Sequence, residues 1–257
     1  MADWNPENYL KFKNERTRPA IDLANKIEAA DPEKILDIGC GPGNSTAVLS
    51  RRFPKSAIIG IDNSPNMIEA AAKSYPKLEF RLIDASCELG RLGENTFDVV
   101  FSNACIQWLP DHAKLLAEMM KLIRKGGVMA VQIPVNYDEP IHEIIKSISE
   151  SDEWRDRLSG TRSIATLSEE EYFDILSRIS SDFTMWKTVY FHRMPSHESI
   201  IEWYRATGLK PYLSRLNENE KLILEEQMLE ELKRRYPVRQ NGEIIFRFPR
   251  LFFTAVK

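Results

Sequence analysis

The chain has 257 residues, 43% of them hydrophobic, with a formal net charge of −3, the make-up of an ordinary globular protein. That charge excludes a broad basic surface for nucleic acid. No apolar run reaches membrane-spanning length, and Met1–Pro19 lacks a hydrophobic signal core, so a cytoplasmic protein with no membrane partner is expected. Cys40, Cys87 and Cys105 have no zinc spacing and read as buried free thiols.

In chain order, Pro19–Ala30 reads as a helix through Ile21, Leu23, Ala24 and Ile27, ended by Asp31-Pro32. Lys34–Ile38 is a short apolar strand followed at once by glycines. Asn44–Phe53 is a helix with Val48 and Leu49 inward, and Ala57–Ile61 is a second strand ending at Asp62. Ser64 caps a helix that opens on Pro65 and runs to Ser74. Strands follow at Leu78–Ile83 and Phe97–Ser102, then a helix over Lys114–Ile123, a turn at Gly126-Gly127 and a strand over Val128–Ile133. Strands apolar on both faces and alternating with helices indicate a parallel sheet covered on both sides. The second half reads as helices at Glu143–Ser149 and Ser168–Ser177, the latter opening on a Ser168/Glu171 capping box, and a strand at Met185–Phe191. A helical region then spans Ser196–Tyr236, and a last strand spans Arg250–Val256. The expected organisation is an N-terminal cap segment (1–30), an α/β core (31–195), an inserted helical lid (196–240) and a strand completing the core sheet (241–257).

Asp37-Ile38-Gly39-Cys40-Gly41-Pro42-Gly43 carries the strongest chemical signal. Glycines between a strand and a helix let backbone approach a ligand where a Cβ would clash. The spacing is Gly-x-Gly-x-Gly, one residue short of the dinucleotide fingerprint, and Asp37 disfavours a pyrophosphate while favouring a cation. S-adenosylmethionine, with its sulfonium and ammonium, suits such a loop. Its expected contacts are Asp37, Gly39, Gly41 and Gly43; Asp62 for the ribose hydroxyls, with Asn63 and Met67; Asp84 for the adenine amino group, with Ala85; and Asn103 and Ala104 for the methionine portion. Most of them lie at or just past the carboxyl ends of successive strands, where open α/β sheets bind ligands.

The motifs DIGCGPGNST, GID and NACIQWLPDH resemble class I methyltransferases. Trp4-Asn5-Pro6, Tyr9-Leu10-x-Phe12, Glu15-Arg16-x-Arg18-Pro19, Met194-Pro195-Ser196-His197, Thr207-Gly208-Leu209-x-Pro211 and Phe248-Pro249-Arg250-Leu251-Phe252 resemble the trans-aconitate 2-methyltransferase family over essentially the whole chain. The resemblance implies a Rossmann-like, seven-stranded, mostly parallel sheet with its last strand antiparallel. It also implies methyl transfer from S-adenosylmethionine to a carboxylate of trans-aconitate, leaving S-adenosylhomocysteine. Ile133-Pro134-Val135-Asn136 departs from the family's usual Met-Pro-Asp-Asn, and Ser149–Thr166 is divergent.

A carboxylic acid is already an anion at neutral pH, so no general base is required, and catalysis rests on alignment and on cations that hold the remaining carboxylates. Tyr9, Arg16, Gln107, Trp108, Arg193 and Arg205 are the expected substrate contacts; Arg18, His192, Lys210 and Arg250 are further candidates. Arg16 could instead hold the cofactor's own carboxylate. His112, His142, His192 and His197 show no metal-ligand spacing, so no metal is assigned. Two alternatives remain open: a methyltransferase with a different small-molecule acceptor, and a non-catalytic S-adenosylmethionine-binding module.

Overall fold

The computed structural model describes residues 12–161, 166–205 and 207–257. The strands are β1 (Lys34–Ile38), β2 (Ala57–Asp62), β3 (Glu79–Leu82), β4 (Phe97–Asn103), β5 (Ile123–Pro134), β6 (Asp182–Met194) and β7 (Ile244–Val256). They form one sheet in the order β3–β2–β1–β4–β5–β7–β6. β1 to β5 pair in parallel, and β7 enters antiparallel between β5 and β6. The chain moves outward from β1 in one direction and from β4 in the other, so the crevice between their carboxyl ends is a topological switch point.

The helices are α1 (Lys13–Ala24), α2 (Asn44–Arg52), α3 (Pro65–Ser74), α4 (His112–Leu122), α5 (Pro140–Ser149), α6 (Arg155–Leu158), α7 (Glu169–Ile179), α8 (His197–Arg205), α9 (Lys210–Leu213) and α10 (Glu218–Arg235). Alternation along the strands divides the core into two layers. Leu36, Ile38, Val100 and Val131 pack with Leu116 and Met119 of α4 and Tyr172 and Leu176 of α7. Ile35, Val99, Phe101 and Phe252 pack with Leu23 of α1 and Val48 and Leu49 of α2. Among the described residues, no helix is long and apolar enough to cross a membrane.

Ser64 caps α3 by accepting from the Met67 amide at 3.3 Å, and the Ser168/Glu171 box opens α7, as their sequences indicate. α1 differs from expectation. It starts at Lys13 and ends at Ala24, taking Pro19 inside rather than starting on it, and Ile21 faces solvent. Gly126-Gly127 is not a free turn but part of a bulge, because the β4–β5 register jumps from Phe97↔Ile123 to Val99↔Val128.

β6 and β7 also run longer than their expected spans, pairing from Asp182↔Val256 to Met194↔Ile244. The β5 ladder stops at Pro134↔Arg250, so beyond it residues 244–249 keep β6 as their partner strand, with an isolated bridge from Ile244 to Val238. Their inward side chains, Ile244, Phe246 and Phe248, join a separate apolar cluster with Ile141 and Ile144 of α5, Trp203 and Tyr204 of α8, and Met228 and Leu232 of α10. The helices over 196–236 therefore share their core with the α5 segment that follows β5.

Candidate functional site

A cavity of about 840 Å³ opens along the carboxyl edge of the sheet, within the size range of small-molecule sites. At its β1 end the loop turns on Gly39 (φ +72°), Gly41 (φ +52°) and Gly43 (φ +87°). A Cβ on Gly39 would land on the Cys105 side chain, whereas one on Gly41 would project into open space. Asp62, at the tip of β2, accepts from the Gly41 amide at 3.0 Å and the Ser64 amide at 2.9 Å, stapling the glycine loop to the start of α3. Asp84 lies on the cavity wall, accepts from the Ser86 amide at 2.9 Å, and is held below the usual carboxylate range chiefly by the Ser86 hydroxyl.

Asp37 does not line the cavity. It is fully buried behind the loop, where its Oδ2 accepts from the Ser45 and Thr46 hydroxyls at 2.6 and 2.7 Å. Its Oδ1 has no hydrogen-bond partner, and burial raises the carboxyl to about 6. Gly43 likewise sits behind the cavity wall, as the N-cap of α2 packed on Tyr75 and Phe80.

Asn103 and Ala104 close the middle of the crevice. Ala104 has φ +53° and its amide donates to the Gln132 carbonyl at 2.9 Å; Asn103 Oδ1 is buried without a partner. Gln107 and Trp108 follow on a 3₁₀ turn over Ile106–Trp108. Gln107 Nε2 donates to the Ala104 carbonyl at 2.8 Å. His112 braces this turn: Nε2 lies 2.8 Å from the Ile106 carbonyl and 3.1 Å from that of Leu109, and Nδ1 lies 2.6 Å from the Tyr172 hydroxyl. Nε2 therefore carries the proton and donates, while Tyr172 donates to Nδ1.

The β5–β7 end of the cavity is basic. Arg250 is buried, donates from Nη1 to Gln132 Oε1 at 3.1 Å, and stacks with its guanidinium carbon 4.6 Å from the Phe248 ring centroid. Arg16 is also buried; its Nη2 donates to the Trp203 carbonyl at 3.1 Å. It also borders a water-sized polar cavity shared with Thr17, Gly39, Asn44, Ser45 and Asn103. His192 packs on Trp203 and Phe248, and burial, reinforced by Arg250 and Arg16, lowers it to about 4, so it stays neutral between them. Lys210, Asn136, His142 and Tyr204 complete this end.

Of the sequence-predicted residues, Gly39, Gly41, Asp62, Asn63, Met67, Asp84, Ala85, Asn103, Ala104, Arg16, Gln107 and Trp108 meet at this one cavity. Arg193 and Arg205 do not. Alternation along β6 points His192 inward and Arg193 outward, where Arg193 pairs with Glu243 at 2.7 Å and is 77% exposed. Arg205 pairs with Glu225 between α8 and α10. Tyr9 lies outside the described residues. Asn136, His142, Trp203 and Tyr204 were not singled out as site residues. Asn136 alone carries a sequence signal, its place just past the carboxyl end of β5.

A family profile described as a methyltransferase domain matches residues 36–131. A trans-aconitate 2-methyltransferase of Enterobacter sp. (strain 638) is 42% identical over 259 residues, covering 99% of this chain and 98% of the relative. One of Escherichia coli O157:H7 is 41% identical over 255 residues, with the same coverage. Among solved structures, the YcgJ protein of Bacillus subtilis superposes with a TM-score of 0.63 at 15% identity, covering 93% of this chain and 98% of that one. Phosphoethanolamine N-methyltransferase 2 of Haemonchus contortus, in complex with phosphomonomethylethanolamine and S-adenosylhomocysteine, gives 0.58 at 18% identity, covering 93% and 52%. At such identities the two structures establish a shared fold.

Proposed function

The chain belongs to the trans-aconitate 2-methyltransferase family, and from that premise we propose that it transfers a methyl group from S-adenosylmethionine to a carboxylate of trans-aconitate or a closely related small polycarboxylic acid. The observation that carries the reading is the polarity of the cavity. Asp62 and Asp84 stand at the β2–β3 end, and Arg250 and Lys210 at the β5–β7 end. A cationic donor and an anionic acceptor fit that gradient in one orientation only.

The residues at the acidic end fit the cofactor. The open space above Gly41 is a cradle that a side chain would fill, and the buried Asp37 carboxyl lies behind the loop with one oxygen unpartnered. Asp62 would hold the ribose hydroxyls and Asp84 the adenine amino group, while Asn103 and Ala104 would face the methionine portion. Arg16 borders Gly39 and Asn103, which favours the cofactor's own carboxylate as its partner. When bound, S-adenosylmethionine supplies an electrophilic methyl group on a sulfonium.

The protein's own part is to hold and orient the acid. The nucleophilic oxygen is ionised without help at neutral pH. Arg250, fixed by Gln132 and Phe248 before any ligand arrives, offers a preorganised fork for a carboxylate. Gln107 and Trp108 would form the wall between the two halves, and the helices over 196–236 would exclude water so that these contacts act unscreened. Incubation with methyl-labelled cofactor and a panel of di- and tricarboxylic acids, phenols and amines tests the reading. Label is expected in the acids, as an ester. Label only in a phenol or an amine defeats the carboxylate assignment, and calorimetric binding of NAD rather than S-adenosylhomocysteine defeats the cofactor assignment.

A further inference from the structure

The cofactor contacts proposed above occupy the crevice over β3, β2, β1 and β4. Strands lie about 4.8 Å apart, so β5 and β7 stand roughly 10 and 14 Å from β1, leaving the acceptor the space over β5 and β7. A polycarboxylate there presents more oxygens than one guanidinium can satisfy. Beside Arg250, the polar groups on this wall include Asn136, just past β5, and His142 in the first turn of α5.

These two residues are joined through a single hydroxyl. Asn136 Nδ2 donates to the Tyr204 hydroxyl at 2.8 Å, and that hydroxyl lies 3.0 Å from His142 Nε2. An amide nitrogen cannot accept, so the Tyr204 oxygen is the acceptor from Asn136, and His142 Nε2 is the acceptor that its own proton meets among the described residues. A neutral imidazole accepting at Nε2 carries its proton on Nδ1. The ring is fixed in place, 5.5 Å edge-on from Tyr204 and 5.4 Å from Tyr137. Burial lowers His142 to about 4, so near neutrality it is an uncharged donor. Its Nδ1 has no hydrogen-bond partner among the described residues.

We propose that His142, held by Tyr204 with its proton on Nδ1, donates a hydrogen bond to one of the acid's carboxylates that is not methylated, and so selects for an acid that carries it. This rests on the carboxylate-methyltransferase reading above. A site built to donate to a substrate oxygen discriminates against an analogue that lacks it, because the buried donor is then left unmet.

Two variants separate this role from a structural one. His142→Gln keeps a polar atom facing Tyr204 and removes the Nδ1 donor; His142→Asn keeps an N–H near the Nδ1 position and gives up the Tyr204 contact. kcat/KM is measured for trans-aconitate, mesaconate and cis-glutaconate, each of the last two lacking one carboxylate of the first while keeping its alkene geometry. His142→Gln should lower kcat/KM for trans-aconitate on the order of 10–100-fold, mainly through KM, with that penalty absent for the analogue missing the partner carboxylate. His142→Asn should retain more of the discrimination. Imidazole ¹⁵N shifts of the protein saturated with S-adenosylhomocysteine should show Nδ1 protonated and Nε2 unprotonated, with the Nδ1 signal moving when trans-aconitate is added. An equal penalty on all three acids, no penalty on any, or the opposite tautomer overturns the proposal while leaving the methyltransferase reading intact. A wild-type protein that methylates no carboxylic acid overturns both.

Discussion

Arg16 engages Trp203 twice, donating from Nη2 to the carbonyl at 3.1 Å and placing its guanidinium carbon 5.0 Å from the indole ring centroid. One residue lies on α1 and the other on α8, so a single side chain clasps the N-terminal helix to the helices over 196–236 at the cavity wall. Arg16→Lys keeps the charge but loses the planar stack and the fork. It should weaken S-adenosylhomocysteine binding by less than Arg16→Ala, for which a loss on the order of 10–100-fold by calorimetry is expected. If Arg16→Ala instead raises KM for the acid and leaves cofactor affinity untouched, Arg16 belongs to the acceptor.

Arg250 is expected to carry the acid's charge. Arg250→Ala should raise KM for trans-aconitate by about 10–150-fold, the equivalent of losing a hydrogen bond between charged groups. Arg193→Ala and Arg205→Ala, which break surface pairs with Glu243 and Glu225, should shift KM less than twofold. Initial-rate kinetics on the three variants checks the contrast, and equal effects from all three would remove Arg250 from its role.

Asp62 serves two partners at once, the glycine-loop amide and the Ser64 amide. Asp62→Ala should therefore weaken S-adenosylhomocysteine binding by about 1.5–3 kcal/mol through the lost ribose acceptor, and should also loosen the loop. Titration calorimetry measures the first effect and amide exchange at Gly41 the second. Unchanged affinity would place the ribose elsewhere.

Asp37 gives the ligand-free protein a distinct pH signature. Its folded-state value of about 6 lies above the ordinary 3.8, so the folded protein holds that proton more tightly than the unfolded chain. Below pH 4 both states are protonated and burial of the carboxyl costs nothing. The cost grows from pH 4 to 6 and is complete above 6, at about 3 kcal/mol by 1.4 kcal/mol per unit. Urea denaturation of Asp37→Asn against wild type should show the difference in stability moving in the variant's favour by about that amount between pH 4 and pH 7. A difference that stays flat with pH would show that Asp37 ionises normally.

The glycine loop and its acidic partners were legible because each is a local event: a strand ends, and the next residue is a glycine or a carboxylate. Asp62 needed only its place at the tip of β2. The acceptor half was not legible in that way. Tyr204 meets His142 across 62 positions and Asn136 across 68, and no spacing rule joins an α8 tyrosine to the end of β5. Arg193 stands beyond the expected end of β6 at Phe191, but the strand continues to Met194 and its alternation turns His192 inward and Arg193 outward. β7 runs six residues beyond its expected start at Arg250: the Pro249 carbonyl accepts from the Val135 amide at 3.0 Å, and the ladder with β6 passes through this proline to Ile244.

The interposition of β7 between β5 and β6 has a kinetic consequence. During synthesis on a ribosome, β1 to β5 can zip together as they emerge, but β6 has no neighbour until residues 244–256 have been made. Arg250 arrives on that same stretch, so the nascent protein can assemble its cofactor half well before its acceptor half. Any lesion that delays docking of the final strand should leave a species that binds S-adenosylhomocysteine but turns over no acid.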